Sequence, residues 1–188
     1  EADVALNWKE LIDGQVVPER LNVKGLDVNL PVDAEKPERV FSTAGLNAEL
    51  DLGRPGMVDI VKADAVVQGI SVTAQGAFSI GQEDSGDFTL TAEDMAAVRE
   101  QLNQVLKYLD RVKWPEASPP SLAVNLSDDP KGGVRVGMDL QAPSLRYGKI
   151  RVRDFLFSGD YADSVIMAKR FTMRDAETAG FVNLSLQA

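Results

Sequence analysis

The chain has 188 residues, 44% of them hydrophobic, enough to bury the core of a single domain over 1–188 and too apolar for a disordered segment. With 20 Lys and Arg against 29 Asp and Glu, its net charge of -9 opposes general binding to nucleic acid or to an anionic membrane face. Histidine and cysteine are both absent, which excludes a disulfide scaffold, a thiol nucleophile, a serine-histidine triad and zinc held by histidine or thiolate.

In chain order, the pattern is that of strands until residue 90. Leu46, Ala48, Leu50 and Leu52 alternate with polar residues, as do Ile70, Val72 and Ala74. Turn signals at Asp13-Gly14, 33–37, 53–56 and 81–86 recur at the short spacing of an antiparallel meander. A loose repeat, a glycine or basic step followed by alternating apolar residues, links Gly25-Leu26-Asp27-Val28, Gly45-Leu46-Asn47-Ala48, Gly69-Ile70-Ser71-Val72 and Lys149-Ile150-Arg151-Val152. At Gly25 the apolar phase slips from Leu21 and Val23 to Leu26, Val28 and Leu30, and it slips again between Val152 and Phe155. A one-residue slip turns half a strand to the wrong face unless a bulge absorbs it, so each slip predicts either a bulge or the boundary between two strands.

Helical periodicity occupies 91–113. Thr91 is suited to cap the helix, Asp94 stands three residues on as in a capping box, and Trp114-Pro115 stops it. Met95, Val98, Leu102, Val105, Leu106, Leu109 and Val112 form the apolar stripe. A stiff linker at 114–120 returns the chain to a second sheet segment, 121–188, in which Leu122, Val124 and Leu126, then Val134, Val136, Met138 and Leu140, again alternate. The expected fold is therefore mainly β (α+β): a curved antiparallel β-meander, or β-taco, in two sheet segments, 1–90 and 121–188, with one amphipathic helix packed on its apolar face. The free edges of such a sheet are able to pair with a second copy.

Chemistry is sparse. Asp84-Ser85-Gly86 resembles the Asp-Ser/Thr-Gly triplet of aspartic proteases, in which two carboxylates share a proton and activate water. It occurs once, and Gln82-Glu83 stand where that family has a hydrophobic strand, so a polar hairpin turn is the competing reading. Asp128-Asp129 lacks the spacing of a calcium loop, and no metal or cofactor is expected. Between 145 and 174 bases outnumber acids, and on an alternating strand Lys149, Arg151 and Arg153 share one face, as an anionic head-group patch or as a solvated outer face.

The strand units at 21–28 and 147–155, with the mid-chain helix between two sheet segments, resemble the AsmA-like family of cell-envelope proteins, including the TamB-type repeating β-groove proteins. That resemblance implies a taco-shaped sheet with a greasy trough, held in a membrane-anchored parent chain and handling lipid between membranes. Two departures stand out: the sequence contains no run of about 20 apolar residues able to span a bilayer, and 188 residues make a groove too short to bridge two membranes. The chain starts at Glu1, as expected of a fragment or processed chain of the cell envelope, periplasmic or secreted. The leading expectation is a non-catalytic envelope module whose groove, lined by Met95, Leu102, Leu106, Phe155, Phe157 and Phe171, receives a lipid or an apolar protein segment. The alternatives are a carboxylate hydrolase using Asp84 and a structural or adhesive surface domain.

Overall fold

The computed structural model describes residues 2–6, 18–33, 36–79, 92–163, 165–175 and 180–185. Its strands are β1 (Ala2–Leu6), β2 (Pro18–Pro31), β3 (Val40–Asp51), β4 (Met57–Val67), β5 (Ile70–Ser79), β6 (Val112–Lys113), β7 (Ser121–Asp128), β8 (Val134–Tyr147), β9 (Ile150–Ala162), β10 (Val165–Asp175) and β11 (Phe181–Ser185). The one helix among the described residues, α1, is Ala92–Leu109.

All of these strands belong to one open sheet, in the order β1-β2-β3-β4-β5-β7-β8-β9-β10-β11, with β6 on the edge of β8. The mainly β meander with one helix is what the alternation predicts. The two expected sheet segments, however, are halves of a single sheet. They join where β5 and β7 run parallel, Ser71 opposite Ser121, while every other pairing is antiparallel. Parallel neighbours cannot be linked by a hairpin; they need a crossover, and α1 lies in it.

Both phase slips are bulges within continuous strands. In β2 and β3 the pairing runs Leu21 with Leu50 and Val23 with Ala48, shifts at Leu26 with Leu46, and resumes at Val28 with Thr43. Gly25 and Gly45 sit at this step with φ of 60° and 62°. Each donates its N–H across the pair to an Asx side chain, Gly25 to Asn47 Oδ1 at 3.1 Å and Gly45 to Asp27 Oδ1 at 2.7 Å. The repeated Gly-Leu-Asp/Asn string is thus a reciprocal double bulge, and it keeps Leu21, Val23, Leu26, Val28 and Leu30 on one side despite their mixed parity. In β9 the corresponding role falls to Asp154, at φ 52°, next to a register shift against β10.

The helix is shorter than its periodicity predicts. Asp110 N–H still reaches Leu106 O, but Arg111 N–H bonds Tyr108 O three residues back, which tightens and ends the helix. Val112 and Lys113 then pair with Tyr147 and Arg146 on the part of β8 that β7 does not reach. The expected stripe also narrows. Leu106 is 6% exposed and Leu102 and Leu109 are half-buried, whereas 96–101, including Val98, and also Val105 are exposed. Among its described side chains those of the C-terminal half of α1 are the seated ones, the helix meets β3 and β6, and Arg39 fastens its end to Asp110 at 2.8 Å.

Candidate functional site

Directly opposed residues in a sheet share a face, so the register defines what each face presents. One row reads Val23, Ala48, Ala63, Ala74, Val124, Met138, Gly159 and Ala168, from β2 to β10. A second, on the same face, reads Ala65, Val72, Leu122, Leu140, Phe157, Phe171 and Leu184, from β4 to β11. The opposite face reads Asn47, Asp64, Thr73, Ala123, Asp139, Ser158 and Arg170. One face is apolar nearly without interruption and the other is polar.

The apolar face has almost nothing on it. Only Val32, Leu106, Ala142, Val152 and Ala162 are buried among the described apolar residues, and no large side chain is fully enclosed. Leu26, Val28, Tyr161, Ile166 and Leu184 are all more than 40% or, for Val28, 40% exposed. A second layer that a globular sheet would have, helices or another sheet, is represented among the described residues by half of one helix.

Of the expected groove residues, the structure brings three together. Phe157 stands opposite Phe171, and Phe155 meets Phe171 edge to face with ring centres 5.5 Å apart and planes at 89°. Phe155 also lines an open cleft of about 380 Å³ with Gln141, Ala142, Pro143, Asp154, Leu156 and Thr172, so its wall is mixed rather than apolar. Leu102 and Leu106 lie instead on α1, whose main contacts are with β3 and with β6, the short strand on the Arg146–Tyr147 end of β8. Met95 is on α1, but its side chain lies outside the described residues, as does all of Asp84. The small-residue row Ala48, Ala63 and Ala74 was missed by sequence reasoning because its continuity depends on register; the alanines in matching phase were the only signal.

The basic patch is rearranged. Lys149 is in the turn after Gly148, before β9 begins, so it does not continue the strand face of Arg151 and Arg153 as expected; a two-residue turn takes it out of alternation. Arg151 and Arg153 line an open cleft of about 370 Å³ with Lys113, Trp114, Pro115, Ser144, Leu145 and Arg146. Lys113 and Trp114 enter because β6 and the chain after it run along β8, a placement that no periodicity announces.

The acidic turns are occupied in holding the sheet. Asp128 accepts the Ser79 N–H at 2.6 Å and its hydroxyl at 2.9 Å, tying the end of β7 to the end of β5. Asp129 accepts the Lys131 N–H at 2.9 Å and two bonds from the Arg135 guanidinium at 3.0 and 3.1 Å. The Lys131 N–H, aided by Arg135, holds the Asp129 carboxyl below its ordinary value of 3.8. A carboxyl whose folded value is depressed contributes stability above its unfolded value and loses it as pH falls through the folded one. Asp129→Asn is accordingly expected to lower stability at neutral pH and to flatten the fall in thermal midpoint between about pH 5 and pH 2, as read by calorimetry across pH. Among the described residues no three acidic groups converge as a metal site.

Compared with protein-family models, curated protein sequences and solved structures, the chain gives no match.

Proposed function

We propose that this chain is a non-catalytic module that receives an acyl chain along the apolar face of its sheet. The observation that carries the reading is the unbroken apolar row from Val23 to Ala168. Eight strands at about 4.8 Å spacing give it a path of roughly 34 Å. One acyl chain fills half of a hydrocarbon core, or about 15 Å, so the row is long enough to hold a whole chain. Ala48, Ala63 and Ala74 make it a furrow beside larger residues such as Val72, and at Gly159 the Phe157 ring lies over the row.

An acyl chain suits this face better than an extended peptide does. Hydrocarbon asks only for dry contact, worth about 0.8 kcal/mol for each buried CH₂. A peptide strand laid across the apolar side chains would leave its own N–H and C=O groups without partners, at about 1–3 kcal/mol each. The setting in a cell envelope is supported by the resemblance of the strand units at 21–28 and 147–155 to the AsmA-like proteins. A membrane-anchored parent chain belongs to the same reading.

The test is native mass spectrometry and solvent extraction of the purified chain, followed by titration with a fluorescent fatty acid. A bound acyl ligand and saturable probe binding are expected. Phe157→Gln and Ala74→Gln should each weaken the probe by about tenfold while the β-sheet circular dichroism is retained. A wild-type chain that extracts clean and leaves the probe unbound overturns the reading.

A further inference from the structure

We propose that the two edges of this sheet fit one another, so that copies of the chain join head to tail into one continuous sheet. Both edges are stepped. β1 covers only the N-terminal part of β2, pairing with 18–23 and leaving 26–30 with no strand beside it among the described residues. β11 covers only the C-terminal part of β10, pairing with 170–174 and leaving 165–169 bare among the described residues. The bare stretch of β10 has the length of β1, and the bare stretch of β2 that of β11, 5 residues in each case.

Strand direction decides whether the steps interlock. β5 and β7 are parallel and all other neighbours antiparallel, so β2 and β10 run the same way, and β1 and β11 both run against them. When a second copy is carried across the strands along the twist of the sheet, β11 of the first falls beside the bare stretch of β2 in the second. β1 of the second then falls beside the bare stretch of β10 in the first. The two short strands share one strand position, end to end, antiparallel to both neighbours, and the apolar faces stay on one side. With an antiparallel seam in place of the parallel one, each short strand would lie parallel to its new neighbour, the less stable pairing. The edge is also unguarded. Natural edges carry charge or proline against such pairing, yet 165–168 is Val-Ile-Met-Ala and β11 is Phe-Val-Asn-Leu-Ser. Val165, Ile166, Phe181 and Leu184 are all more than half exposed. Lys169, the one charge on the bare stretch of β10, is tied back to Asp160 of β9 at 2.7 Å. The joint stands whether or not an acyl chain occupies the apolar face.

Sedimentation velocity tests the joint, run at about 0.15 M salt to screen repulsion between copies and over a roughly hundredfold range of concentration. The mass of the wild type is expected to rise with concentration past two copies, because a head-to-tail joint leaves an unused edge at each end. Ile166→Lys with Leu184→Lys blocks the edge at β10 and β11, and Leu26→Lys with Val28→Lys blocks the edge at β1 and β2. Each double variant alone should be a monomer with the β-sheet circular dichroism retained, since every joint needs one edge of each kind. An equal mixture of the two should form pairs and nothing larger, through the two intact edges. The proposal is overturned if the wild type stays monomeric or stops at two copies, if either folded variant alone still pairs, or if the mixture stays monomeric. The wild-type series needs no substitution, so it decides the matter even where a variant fails to fold.

Discussion

Gly76→Ala is expected to be the most damaging small substitution in the molecule. Gly76 lies on β5 at φ 128°, in the parallel pairing with Leu126 of β7. A Cβ placed there would come within 2.0 Å of the Leu126 carbonyl oxygen and 2.7 Å of its nitrogen. Both obstacles are backbone, so no side chain can swing away. Two costs combine: about 1–2 kcal/mol for forcing an L-residue into left-handed space, and about 1–3 kcal/mol for overpacking. Among the described strands the parallel seam is also the only pairing that joins the antiparallel halves. Thermal denaturation of Gly76→Ala should therefore show a midpoint well below the wild type, or two transitions as the halves part. Gly25→Ala is the control. It too has positive φ, but nothing lies within 4 Å of its added Cβ, so it should cost only the backbone strain of about 1–2 kcal/mol. Equal effects from the two would show that the close approach at Leu126 contributes nothing.

The distinction between these glycines marks where sequence stops being informative. At Gly25 and Gly45 the parity change of the apolar residues betrays a bulge, because a continuous apolar face can survive a slip in no other way. Gly76 lies in an unbroken even run, Val72, Ala74, Gly76, Phe78, and nothing local signals that β7 will pass so close. Alternation is written within a strand; which strand lies beside it is decided by long-range pairing. For the same reason the phase of Phe157 and Phe171 within their strands is legible in the sequence, while the alanine furrow and the approach of Lys113 to Arg146 depend on pairing and are not. Lys113 falls inside the helical span 91–113 that the periodicity predicts. It is instead a strand residue, because Arg111 ends the helix early and the vacant edge of β8 takes up the next two residues.

Leu106→Ala is expected to release α1 from the sheet. Leu106 is the most deeply buried of the described helix side chains at 6% exposure, and Val98 and Val105 contribute little because both are exposed. Truncating a buried leucine costs about 2–5 kcal/mol, which is large beside the few contacts seating this helix. The seam is already imperfect: Arg39 Nε and Asn103 Oδ1 are buried there without hydrogen-bond partners, and an unmet buried group costs about 1–3 kcal/mol. A helix of 18 residues is only marginally stable by itself in water, so detachment should bring fraying. Hydrogen exchange in Leu106→Ala should accelerate across 96–109 while the amides of β3, β4 and β8 keep their protection. Val105→Ala should change neither, since it removes an exposed β-branched residue and improves helix propensity. If α1 shields part of the apolar face, Leu106→Ala should also increase binding of an apolar dye. Unchanged exchange in α1 would show that the Arg39–Asp110 pair and the β6 pairing hold the helix without its apolar contact.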